Sequence, residues 1–262
     1  MEPNQFAVVQ SRFETIDPEL LAETITANTR WPRADVQRLA RKTHGILGTT
    51  FSEVEARGIC RALEQAGFLA RVVPAAKLMK LPRARSIAWL DVSDAALGVP
   101  LDAFQESATP VAWNAVFVIH AATIATLNET GEIVDVEPAG ERGPVQEFQR
   151  DAFGLTQPTL GLVGMSAGSG MIHGRLSLQR FFRGRMPWLQ GELSQEEQFR
   201  VVLGQLIAHS PQAVVSPAAR RMVVTPLKQI RERTATSRIL QDERAFQGEM
   251  NWLLQLLSFR ES

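Results

Sequence analysis

The chain has 262 residues, 45% of them hydrophobic, and its 28 basic residues balance 28 acidic ones. Such a composition supports a sizeable core in one large or two modest domains, with no staple required. The one cysteine, Cys60, excludes an intramolecular disulfide and any thiolate cage around zinc, and no tyrosine is present.

The opening "MEPNQFAVVQ" lacks the basic and long apolar stretches of a signal peptide, and a lone thiol suits a reducing compartment, so the expected location is the cytoplasm. "FAVV", Phe6 to Val9, reads as a short apolar strand. Asp17-Pro18 is a capping residue followed by proline at the first helical position, predicting a helix to about Asn28 with Leu21 and Ile25 on one face. A second helix is expected from near Pro32, burying Val36, Leu39 and Ala40, with Gly45 ending it. "ILGTTF" is extended. "SEVE" is a capping box of Ser52 and Glu55, and the helix behind it places Ala56, Ile59, Leu63 and Ala66 on one face before Gly67. "FLARVV" is a last strand. The expected order over residues 1–75 is β-α-α-β-α-β.

That order, carried by "GILGTTFSEVEARGICRALEQAGFLARVV", resembles the C-terminal domain of the bacterial ribosomal stalk protein L7/L12. The resemblance covers about residues 4 to 74 and implies that fold and a small interaction module. In the stalk family the first helix of this domain carries lysines and an arginine that dock translation factors. Here that helix reads "PELLAETITANT", with Glu23 and Thr26 where two of those bases would stand. The resemblance therefore does not carry the stalk function over.

Residues 76–85, proline-bearing and with four bases and no acid, read as an interdomain linker. A β-rich α+β domain is expected over 86–225. "SIAWLDV" begins it as a strand bearing Trp89, and "VAWNAVFVIHAATIATL", from Val111 to Leu127, is one long strand or a pair. "NETGE" marks a turn before the strand "EIVDVE", and residues 138–158 read as a long loop. "TLGLVGM" and "MIHGRLSLQRFF" are strands on either side of a glycine cluster. "SQEEQFRVVLGQLIAHS" is a helix with a second capping box, Ser194 and Glu197, and an apolar stripe of Phe199, Val202, Leu203, Leu206 and Ile207. Several strands and one amphipathic helix resemble a bacterial PH-like domain, which implies a bent β-sandwich plugged by a helix. The whole chain also looks like uncharacterised bacterial proteins, a resemblance that implies no activity.

Residues 226–262 read as a tail, polar and basic at first. Its second half sets Phe246, Met250, Leu253, Leu254 and Leu257 on one helical stripe, widened by Trp252 and Leu256. So much apolar surface must be covered, by its own domain, by a second copy or partner, or by a membrane surface. No apolar run reaches the roughly 18 residues of a membrane span.

"GLVGMSAGSGM", residues 161–171, contains Gly-x-Ser-x-Gly around Ser166. In hydrolases this pattern is a nucleophile elbow, which needs a strand before the serine, a helix after it and a base at its hydroxyl. The segment after Ser166 is too glycine-rich for a helix, no histidine comes after Asp242, and only Glu192 with His209 keeps the usual order. A glycine-rich connection between strands is the preferred reading, with a serine hydrolase as the alternative. Gly168, Gly170 and Gly174 also miss the dinucleotide fingerprint by one residue, and no lysine completes a phosphate loop. No cofactor is expected.

His44, His120, His173 and His209 are scattered, and Asp91, Asp94 and Asp102 read as a solvated acidic edge rather than metal ligands. His120 reads as a core or edge histidine, and Cys60 as buried rather than reactive. "RLSLQRFFRGRMPW" interleaves Arg175, Arg180, Arg183 and Arg185 with Phe181, Phe182 and Trp188, a pattern that can grip an anionic polymer. Residues 86–160 carry eleven acids and two bases, and residues 161–262 thirteen bases and eight acids, so the two stretches can neutralise each other locally. Zero net charge argues against a dedicated nucleic-acid binder. The expectation is a non-catalytic protein–protein interaction or scaffold protein. Its interaction surface would be Arg175, Arg180, Arg183 and Arg185 together with the tail stripe of Phe246, Met250, Leu253 and Leu257. Its partner would be an unknown protein or a second copy held through the terminal helix.

Overall fold

The computed structural model describes residues 5–87, 89–100, 107–125, 156–177, 193–225, 239–240 and 243–260. The protein is α+β, in two compact units: residues 1–81 with 247–262, and residues 82–246.

The first unit runs β1 (Phe6–Gln10), α1 (Pro18–Asn28), α2 (Arg33–Lys42), β2 (Ile46–Phe51), α3 (Glu53–Gln65) and β3 (Ala70–Pro74). The strands form an antiparallel sheet in the order β2-β1-β3. Local chemistry starts the helices where the residues predict. The Asp17 carboxylate accepts from the amides of Glu19 and Leu20, and Ser52 and Glu55 form their reciprocal box. At the end of α3 the amides of Gly67 and Phe68 donate to the carbonyls of Glu64 and Leu63. Gly67 supplies the left-handed φ of 88° that this closure needs. Ala66, expected on the buried face, is instead the exposed capping residue of that closure. Leu21, Ile25, Val36, Leu47, Phe51, Ile59 and Leu63 pack with Val8 into one core. Each such side chain contributes roughly 1.5–3 kcal/mol by leaving water.

β1 is buried on both faces, which is why it reads as an unbroken apolar run. Period two sends Val8 toward the helices and Ala7 and Val9 to the opposite side. There a cluster forms around Trp252 of the terminal helix α6 (Glu243–Ser258) with Ile46, Val73 and Leu78. Residues 247–262 are thus part of the first unit rather than a separate tail. The Trp252 indole N–H donates to the Gln10 carbonyl at 2.9 Å, and its ring stacks on Phe13 at 4.5 Å. Gly45 serves this contact. Helix α2 ends at Lys42, capped by Thr43, and Gly45 lies beyond it with φ 73° and with the Trp252 ring where a β-carbon would stand.

The expected linker is largely fastened. A 3-10 turn covers Ala75–Lys77. The Met79 amide donates to Gln255 Oε1 at 3.0 Å, and Gln255 Nε2 donates to the Met79 carbonyl at 2.8 Å. Arg85 and Ser86 already belong to a strand of the second unit.

Among the described residues that unit has a six-stranded mixed sheet. Its path is β11 (Val214–Val215), β8 (Val116–Ala125), β9 (Thr156–Ser166), β10 (Gly170–Ser177) and β4 (Arg85–Ser86), with β12 (Ile239–Leu240) also on β8. β8, β9 and β10 are antiparallel neighbours, and β4, β11 and β12 add in parallel. A second antiparallel sheet joins β5 (Asp91–Val92), β6 (Ala96–Val99) and β7 (Thr109–Ala112). Helices α4 (Gln195–His209) and α5 (Pro217–Val224) complete it. One face of the large sheet, with Leu160, Leu162, Ile172 and Leu176, packs on Phe199, Val202, Leu203 and Leu206 of α4.

The differences from the expected elements are physical. "SIAWLDV" is split into β4 and β5, with Ile87 and Leu90 both buried between them. "VAWNAVFV" is two strands of different sheets, β7 and β8, joined by a 3-10 turn at Trp113–Ala115. Thr156 to Pro158, expected in a loop, begin β9. Helix α5 was legible in "SPAARR" but not anticipated: Ser216 Oγ accepts from the Ala219 amide ahead of a proline at the first position. The expected turn and strand over 128–137 and the loop over 138–155 lie outside the described residues, as do residues 178–182.

Candidate functional site

Ser166 is the last residue of β9. A three-residue turn comes next, and Gly170, paired with Ser166, opens β10 at φ 69°. The glycine-rich motif is therefore a β-hairpin tip, where glycine supplies the backbone angle. No helix comes after the serine, so neither a nucleophile elbow nor a dinucleotide turn is built. Register decides the rest. Ser166, Gly164 and Leu162 share one face of the hairpin, while His173, opposite Val163, and His120, opposite Gly161, share the other. His209, the remaining candidate base, stacks flat on Trp113 at 4.7 Å. Among the described residues no hydrogen bond joins Ser166 to a histidine.

The second face of that sheet carries several polar residues, with His120, Thr159, His173 and Ser177 buried and Arg175 half-buried. Along β10 it presents His173, Arg175 and Ser177. His173 is 1% exposed, its Nδ1 lies 3.0 Å from the Pro82 carbonyl, and among the described residues Nε2 has no hydrogen bond. The carbonyl can only accept, so Nδ1 carries the proton and Nε2 a bare lone pair. Burial lowers the His173 pKa from its ordinary value; the Pro82 carbonyl and Glu243 oppose this and Arg175 reinforces it. Arg175 pairs with Glu243 from the first turn of α6 at 2.6 Å. His120, fully buried, packs against Phe246 of the same helix at 4.6 Å. Arg175 therefore turns to a carboxylate on the covered face instead of pointing outward as a free cation. Arg180, Arg183 and Arg185, and the aromatics Phe181, Phe182 and Trp188, lie outside the described residues.

The tail stripe is likewise covered. Phe246, Met250 and Leu253 are buried and Leu257 is half-buried, so the first three are not offered to a partner. No helix among the described residues is long and apolar enough to cross a membrane. His44 packs over Gly248. No group of three or more His, Cys, Asp or Glu among the described residues is placed to hold a metal ion. Cys60 is half-buried, and burial, with the Glu64 charge adding, raises its thiol to about 11. It is a protonated, weakly reactive thiol at neutral pH.

One open feature was not singled out from the sequence. α1 and α2 flank a groove of about 530 Å³ in the first unit. Glu19, Glu23, Thr26 and Ala27 form the α1 wall, and Arg33, Gln37 and Arg41, spaced four apart, form the α2 wall. Only Ala22 of these is buried, at the floor. Among the described residues none of these four charged side chains makes an ion pair or side-chain hydrogen bond. A groove with acids on one wall and bases on the other, unspent on each other, is suited to a ligand bearing both signs. Helical periodicity held the signal: Glu19 and Glu23, and Arg33, Gln37 and Arg41, recur every four residues.

Comparison with known proteins found no matching family model, no matching curated protein and no matching solved structure.

Proposed function

We propose that this chain is a non-catalytic protein–protein interaction or scaffold protein, and that the groove between α1 and α2 is where it docks a partner. The observation that carries the reading is the pair of opposed, unpaired charged walls at Glu19 and Glu23 and at Arg33 and Arg41. Exposed charges of this kind steer an encounter and fix its register more than they add affinity. The occupant is a protein segment, helical or extended, with bases along one edge and acids along the other. The resemblance of residues 4 to 74 to the stalk domain supports a small interaction module, with a charge pattern of its own.

The test is a photo-crosslinking residue placed at Gln37 in the full chain, with Arg57 on α3 as the control position. The expected result is a discrete crosslinked protein from Gln37 alone, weakened when Glu23→Lys and Arg41→Glu reverse both walls. Equal products from both positions, or indifference to the charge reversal, would refute the proposal.

A further inference from the structure

The chain leaves the second unit at two points, Leu81/Pro82 and Phe246/Gln247. Both are tied to the same polar face of the β8-β9-β10 sheet. His173 on β10 holds the Pro82 carbonyl. Two residues further along the strand, Arg175 holds Glu243, and on β8 His120 packs against Phe246. Gly161 lies between, paired with both His120 and Arg175, and so leaves the centre of this face without a side chain.

We propose that this face is an acid-operated clamp on the two exits of the chain, with His173 as its trigger. The neutral ring fits its surroundings: Nδ1–H has an acceptor, and the bare Nε2 needs none. A proton taken from solvent onto Nε2 changes that. The new N–H is a buried donor with no acceptor among the described residues, and the ring becomes a cation on the same strand face as Arg175. The charged groups acting on it are Arg175 from its own strand, which opposes the proton, and Glu243 from α6, which favours it. Glu243 is already engaged by Arg175, so burial remains the larger influence. The charged ring is relieved by reaching water, which loosens its hold on the Pro82 carbonyl and disturbs the Arg175–Glu243 pair beside it.

The lowered pKa sets the sign. The open form takes up the proton at the ordinary histidine value of 6.5 and the closed form only at lower pH. The clamp is fully closed above that value and weakens as pH falls below it, toward the closed-state pKa. One pH unit below 6.5, the open form gains at most about tenfold, the ceiling reached when the closed form takes up no proton there.

Hydrogen exchange of the full chain, normalised for the intrinsic pH dependence of amide exchange, tests this at pH 7.5 and 5.5. Peptides spanning residues 80–87 and 243–249 are expected to exchange faster at the lower pH, by up to about tenfold. His173→Asn keeps a donor near the Nδ1 position but cannot titrate, and is expected to abolish the rise. Equal exchange at the two pH values in the parent chain, or an undiminished rise in the variant, overturns the proposal. Ring-nitrogen NMR on the parent chain is an independent measurement should the variant misfold. His173 is expected as the neutral Nδ1–H tautomer at pH 7.5, protonating in step with the exchange, and a ring already charged at that pH overturns the clamp.

Discussion

Gly45→Ala should be among the most damaging single-methyl additions in the chain. Two costs combine. The residue sits at φ 73°, where alanine costs about 1–2 kcal/mol. The added β-carbon would also overlap the Trp252 ring, which is 1% exposed and packed against Ala7 and Val9. Backbone cannot yield easily on a sheet edge anchored by the Gln10 amide to the Gly45 carbonyl at 2.8 Å. The indole must therefore leave, forfeiting most of the roughly 3–5 kcal/mol that truncating a buried tryptophan costs. The sum is about 4–6 kcal/mol, comparable with the whole stability of a marginal domain. Gly67→Ala is the control. Its φ of 88° is also left-handed, but a β-carbon there meets nothing within 4 Å, so only about 1–2 kcal/mol is expected. Urea unfolding monitored by far-ultraviolet circular dichroism measures both, with Trp252→Ala completing a double-mutant cycle. In the Trp252→Ala background, Gly45→Ala should cost only its backbone share, leaving a coupling of about 3 kcal/mol. Equal costs for the two glycines, or full additivity in the cycle, would refute the account of why residue 45 is glycine.

Local chemistry sets three further outcomes. A fluorophosphonate should leave the chain unlabelled, and Ser166→Ala should not alter that; labelling lost in the variant would establish the hydrolase reading instead. Ser52→Ala and Ser194→Ala each remove an N-cap with its reciprocal glutamate bond, and each should cost about 1 kcal/mol in urea unfolding. Cys60 should react slowly with a thiol reagent at pH 7.5 and faster as pH rises toward about 11, because its folded-state thiol lies above the usual value of 9.0. Rapid reaction at pH 7.5 in the folded protein would contradict that environment.

The residues of the first unit announce their elements because each signal is local. An aspartate before a proline, a serine three residues before a glutamate, and a glycine after Gln65 and Ala66 act within a single turn. The second unit was less legible for the same reason. Its strands pair across long separations, and "SIAWLDV" and "VAWNAVFV" break where sheet partners change, which no local pattern records. The Gly-x-Ser-x-Gly motif shows the limit well. Its glycines marked a turn, but only register showed that Ser166 and the two strand histidines face opposite ways. The groove between α1 and α2 was written in helical spacing, yet that two such stripes would face each other is a matter of packing.

By itself, the order of residues determined the small β-α-α-β-α-β unit, its caps, the α+β class and the apolar stripe at the C-terminus. Tertiary structure alone decided what covers that stripe, what Gly45 makes room for, and that His173, Arg175 and His120 hold both exits of the second unit. The reason is range. Hydrogen bonds within one turn and periodic burial are set by neighbours in sequence, whereas a contact between Trp252 and Gly45 depends on where the whole intervening chain has folded.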